Sequence, residues 1–156
     1  MKTKHIVLSV LGVFVLWLFF WPSEKDYLNA QMAELCKKDG GVKVYEKVKL
    51  PAEMFDESGN LKDRKPVKEN GHYIIRIGNE YILYDEVKII KQGDIQKDQG
   101  RFTRVHTFIR KLADNKIIGE SIVYRRAGGD RWNPGMPSQD ICPKSVDLFN
   151  AVFYKG

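Results

Sequence analysis

Histidine and cysteine are scarce in this chain, three and two among 156 residues. Zinc sites draw on several His, Cys or carboxylate ligands at fixed spacing, and none of His5, His72 and His106 is joined at helical or hairpin spacing by the set of ligands such a site needs. A metal centre is therefore not expected. The chain also lacks a Gly-x-Ser-x-Gly elbow, a phosphate-binding loop and a His-Glu-x-x-His pair, and nothing in it calls for a cofactor. Repeats and low-complexity tracts are absent, while 43% of the residues are hydrophobic, which excludes a disordered tail, a collagen and a solenoid. Residues 23–156 suffice for a single core, but they leave no room for a cofactor domain beside a substrate domain.

Charge is missing from Ile6 to Trp21, directly after Lys2 and Lys4. As a helix this run spans roughly 24 Å, somewhat short of a ~30 Å hydrocarbon core. Its end, Trp17-Leu18-Phe19-Phe20-Trp21-Pro22, suits an interfacial aromatic belt, and no small-residue cleavage triplet follows closely. Residues 1–22 are expected to be a membrane anchor or uncleaved signal, and 23–156 an exported domain. The basic residues ahead of the run place the N-terminus in the cytoplasm and the domain in the periplasm, at the inner membrane.

The even cysteine count fits that compartment, and Cys36 and Cys142 are expected to form a disulfide. Ser23-Glu24-Lys25-Asp26 reads as a capped helix start. Leu28, Met32, Leu35 and Cys36 make one apolar stripe, and Gly40-Gly41 ends the helix. Val42 to Leu50 alternates with lysines as one half-exposed strand, and residues 52–71 read as a long loop. Residues 72–77 and 80–91 form a hairpin about Gly78-Asn79, with Ile75 opposite Ile82 and His72 opposite Asp85. Residues 101–112 and 117–126 form a second hairpin, whose more apolar face carries Val105, Ile109, Ile118, Ile122 and Tyr124. Residues 127–143 read as irregular, with a short closing element from 145 to 154. The fold class expected is α+β, a membrane segment followed by one amphipathic helix on an antiparallel sheet of about five strands.

The stretch Cys36-Lys-Lys-Asp-Gly-Gly-Val-Lys-Val-Tyr-Glu-Lys-Val-Lys-Leu-Pro51 resembles a block shared by small, uncharacterised proteins of Gram-negative bacteria that follow an N-terminal export segment. Gly119-Glu120-Ser121-Ile122-Val123-Tyr124-Arg125-Arg126-Ala-Gly-Gly-Asp130 and Cys142-Pro143 are similar too. The resemblance implies an envelope location and carries no catalytic residues with it. The block itself reads as a helix C-cap followed by a strand.

The segment from Arg101 to Arg131 holds eight basic residues against three acidic ones, and six of the eight arginines. In the register expected, Arg104 faces Arg125, which is unfavourable unless an anion or acidic partner lies between them. Arg104, Arg125, Arg126, Arg131 and Trp132 are the candidate binding residues. Nucleic acid is a poor partner for an exported domain, so an anionic envelope component or an acidic protein is expected, beside the inner membrane itself through residues 6–21. The function expected is that of a membrane-tethered, non-catalytic binding or accessory protein of the cell envelope. The alternatives are a small envelope hydrolase using His72 or His106 with a carboxylate, and an immunity protein of a secretion system.

Overall fold

The computed structural model describes residues 12–13, 21–62, 66–69, 72–131 and 136–156. One main helix, α1 (Glu24–Asp39), precedes a chain of strands: β1 (Gly41–Val44), β2 (Val48–Leu50), β3 (Pro66–Glu69), β4 (His72–Ile77), β5 (Tyr81–Lys91), β6 (Arg101–Lys111), β7 (Ile117–Ala127) and β8 (Gln139–Cys142). A short helix, α2 (Leu148–Val152), and β9 (Phe153–Lys155) close it. A seven-stranded sheet runs β1-β7-β6-β5-β4-β3, with β8 also on β7, and every pairing in it is antiparallel. β1 and β8 share the outer edge of β7, one after the other along its length. A separate parallel pair, β2 with β9, ties the start of the domain to its end.

This corrects the expected architecture in three respects. Five strands become nine because a bend at Tyr45 and the irregular Glu46 and Lys47 after it split Val42–Leu50 between two sheets, and because β3, β8 and β9 are short strands created by their partners rather than by a local apolar pattern. The loop and tail regions expected at 52–71 and 127–143 hold β3 and β8 respectively. Among the described residues no helix is long and apolar enough to cross a membrane, so the spanning helix expected ahead of the domain is not among its elements. Residues 6–11 and 14–20 of that run lie outside the described residues.

The helix forms as the sequence implies. Ser23 caps it, its hydroxyl accepting from the Asp26 N–H while the Asp26 carboxylate accepts from the Ser23 N–H. The chain leaves through extended Gly40, and the positive φ, 119°, falls one residue later at Gly41. Leu28, Met32 and Cys36 are buried against Phe102, Ile122 and Tyr124, with Leu35 half-buried beside them. The disulfide between Cys36 and Cys142, Cα atoms 5.9 Å apart, locks this helix to β8.

Both faces of the central strands are buried, which is why one apolar face was expected to hold residues that in fact diverge. Ile122 and Tyr124 point to the helix, whereas Val105, Ile109 and Ile118 point the other way. On that second face α2, Phe153, Leu50, Phe55 and Leu61 pack over Ile77, Leu83, Ile109 and Ile118. A Cβ at Gly119 would come within 2.5 Å of Val152 Cγ2, so glycine there lets α2 settle directly on β7.

Candidate functional site

The register decides which of the arginines can act together. Residues directly across a ladder share a face, and Arg104 pairs with Tyr124 while Arg125 pairs with Thr103. Arg104 and Arg125 therefore sit on opposite faces of the sheet and do not repel one another, contrary to the expected pairing. A bulge at Ile118 causes the slip: the residues on either side of it pair in registers that differ by one. The first hairpin is offset likewise. Its turn has three residues, Gly78-Asn79-Glu80, so Ile75 meets Leu83 rather than Ile82, and Asp85 is not across from His72. Asp85 instead accepts a hydrogen bond of 2.6 Å from Thr107 Oγ1.

Three of the five expected binding residues are engaged inside the protein. Arg104 reaches Asp39 at the end of α1, 3.4 Å away, and Tyr124 donates to the same carboxylate at 2.8 Å. Burial and that hydrogen bond push the Tyr124 hydroxyl above its ordinary pKa. Arg126 is only 2% exposed. Its guanidinium donates to Asn29 Oδ1 at 2.6 Å, to the Gly128 carbonyl at 2.7 Å and to both oxygens of Ser138, so it staples α1 to the loop that leads into β8. Arg131 donates to the carbonyls of Trp21 and Pro22, at the entry to the helix. Trp132 lies outside the described residues.

Arg125 opens onto a groove, in whose lining the buried Arg126 also takes part. Arg125 faces away from the helix, and with Arg101, Thr103, Ala127, Ile141 and Lys144 it lines a hollow of about 620 Å³. A second hollow of about 430 Å³ shares Arg125, Ile141 and Lys144 and continues along the same face over Val123, Ser121 and Thr107. The sheet is the floor of both, and the chain from β8 to α2 is the wall. Arg125 and Lys144 are exposed and Arg101 is half-buried. Among the described residues none of these three is ion-paired. The Nε of Arg101 is shut away from solvent and meets no protein acceptor among them. Asp140, the carboxylate nearest in the lining, accepts from the Ile141 N–H at 2.9 Å.

No family model, curated protein or solved structure matches the chain.

Lys144 and Ile141 escape a reading of the sequence in which β8 is irregular, and Arg101, counted there among the basic residues, is not among the binding candidates because the register expected did not set it beside Arg125. Alternation along Gln139-Asp140-Ile141-Cys142 was the available signal: Cys142 had to turn towards the helix, which sends Ile141 to the opposite face.

One acid-base group lies on the helix side. His106 Nε2 is 2.8 Å from Glu120 Oε2, its Nδ1 is 3.8 Å from Glu86, and the ring packs against Phe108. Glu120 Oε1 accepts from Tyr45 at 2.6 Å, with Lys43 at 3.5 Å. The Tyr45 hydroxyl, followed by the His106 and Lys43 contacts, outweighs partial burial and holds the Glu120 carboxyl below its usual range, while Glu120 raises the Tyr45 hydroxyl in turn. Both Glu120 oxygens are occupied within the protein. The cluster joins β1 to β6 and β7. Among the described residues no group of three or more His, Cys, Asp and Glu is arranged to hold a metal ion.

Proposed function

We propose that residues 23–156 form a non-catalytic binding domain of the cell envelope, whose ligand carries negative charge and lies in the groove opposite the helix. The observation that carries this reading is the convergence of Arg101, Arg125 and Lys144 on one hollow with no ion-pair partner among the described residues. Three unpartnered cations repel each other, and an anion held among them removes that repulsion and gains charge-assisted hydrogen bonds. Thr103 and Gln139 add neutral polar groups, while Ala127 and Ile141 offer apolar contact.

The disulfide supports an oxidising compartment. The finer placement, on the periplasmic side of the inner membrane with residues 6–21 as tether, rests on the apolar run, its basic flank and the resemblance to exported envelope proteins. Cell fractionation tests it: mature protein beginning near Ser23 and soluble in the periplasm would remove the tether.

The binding reading is tested by titrating the domain with tripolyphosphate and following its backbone amide resonances. Shifts centred on Thr103, Arg125 and Ile141, lost in the Arg101→Gln/Arg125→Gln variant and weakened by salt, are the expected result. Exposed charges are screened over about 8 to 10 Å at physiological ionic strength, which is the source of the salt effect. Equal titrations of wild type and variant would sink the proposal.

A further inference from the structure

The two hollows form one cleft whose charge changes sign along its length. The floor can be followed row by row through the ladders. Arg101 pairs with Ala127, Thr103 with Arg125, Val105 with Val123, and Thr107 with Ser121. β8 and β5 extend those rows sideways, setting Ile141 beside Arg125 and Asp85 beside Thr107. The wall changes in step, from Lys144 near Arg125 to Asp147 at the start of α2. One end thus holds Arg101, Arg125 and Lys144, with the buried Arg126 and the single carboxylate Asp140 also in its lining, the other holds Asp85 and Asp147, and the Val105–Val123 row lies between.

We infer that the cleft binds a short extended peptide with both termini free, its carboxylate among Arg101, Arg125 and Lys144 and its ammonium beside Asp85 and Asp147. This deepens the anion-binding reading and rests on it. The length follows from strand geometry: the Thr103–Arg125 row and the Asp85–Thr107 row are four residues apart on β6, or about 14 Å at ~3.4 Å per residue. An extended peptide of about four residues spans the same distance. The Val105–Val123 row suits small apolar side chains in its middle, because a charge there would lose water without finding a partner. A dianion of equal length meets Asp85 and Asp147 with its second charge and is disfavoured.

Four probes separate this inference from the reading beneath it: tetra-alanine, N-acetyl tetra-alanine, tetra-alanine amide and tripolyphosphate, each titrated against the whole domain. Tetra-alanine is expected to shift amides in both halves of the cleft, and blocking either terminus is expected to weaken it about fivefold or more, in line with loss of a charge pair in a partly desolvated site. Asp85→Asn with Asp147→Asn should abolish the difference between free and acetylated peptide. Both substitutions keep an acceptor for Thr107 and for the α2 cap, so the fold should be kept, and unchanged resonances outside the cleft would verify that. Acetylated peptide binding as well as the free form, or tripolyphosphate binding while tetra-alanine does not, overturns the dipolar ligand but leaves an anion site. Silence from all four overturns both.

Discussion

At the scale of single residues, the arginines divide by what surrounds them. Arg126 is enclosed by Asn29, Gly128 and Ser138, so its loss removes the donor to the buried Gly128 carbonyl and to Asn29 Oδ1, while the Ser138 carbonyl keeps the Gly128 N–H. Arg126→Met is expected to cost about 3 kcal/mol in a urea titration, a magnitude typical of breaking a buried charged network. Arg125→Gln should cost less than about 0.5 kcal/mol, as surface changes do. A similar loss in both variants would contradict the division drawn here. Two acids add a pH dependence. Burial raises Asp130, but the Ser138 N–H and hydroxyl and then Lys25 outweigh it, and the carboxyl falls below its ordinary 3.8. Burial likewise raises Glu24, and Lys91 with the Gly100 N–H brings it below 4.5. A carboxyl depressed in the folded state stabilises fully above its unfolded pKa, and that contribution is lost as pH falls through the folded value. Both acids should therefore favour the fold at neutral pH and lose that contribution progressively in acid, as pH falls below their ordinary values and through the depressed ones. Asp130→Asn, followed by thermal melts across that range, should show a shallower acid decline than wild type.

At the scale of elements, the disulfide governs the groove as well as the helix. Cys142 ends β8, and the wall residues Ile141 and Lys144 flank it. Closing a loop of 106 residues stabilises by roughly 4 to 5 kcal/mol in the chain-entropy model. Cys36→Ser, Cys142→Ser and the double variant should lose similar amounts, since each breaks the same bond. Because the wall is then free to move, tripolyphosphate binding should weaken in all three, with the Arg101 and Arg125 side chains untouched. Undiminished binding would mean that β8 holds its place through its ladder with β7 alone. The joint between α2 and β7 is a second dependency. Gly119→Ala sets a methyl against Val152 and is expected to cost about 1 to 3 kcal/mol by overpacking.

At the scale of the whole molecule, a sheet covered on both faces accounts for what was legible beforehand. Helix α1, its cap, its apolar stripe and the long hairpin strands could all be read because each depends on neighbours a few residues away. The disulfide could be read because two cysteines in an oxidising compartment have one partner each. Made without residues 1–22 in a reducing cytoplasm, the domain should carry two free thiols, and oxidation should raise its unfolding midpoint. Unchanged midpoints would show that the bond adds nothing to the fold. The candidate site was legible only as an excess of arginine. A one-residue change of register moves a side chain to the other face of a sheet, and a bulge at Ile118 and a three-residue turn at Gly78 each made that change. The amino-acid sequence by itself determined the helix, the strand-rich core and the cysteine pair, since local periodicity and composition suffice for these. Only the tertiary structure decided that Arg104 and Arg126 serve the helix side while Arg101, Arg125 and Lys144 share a groove, because which face a strand residue takes depends on pairings with segments distant in the chain.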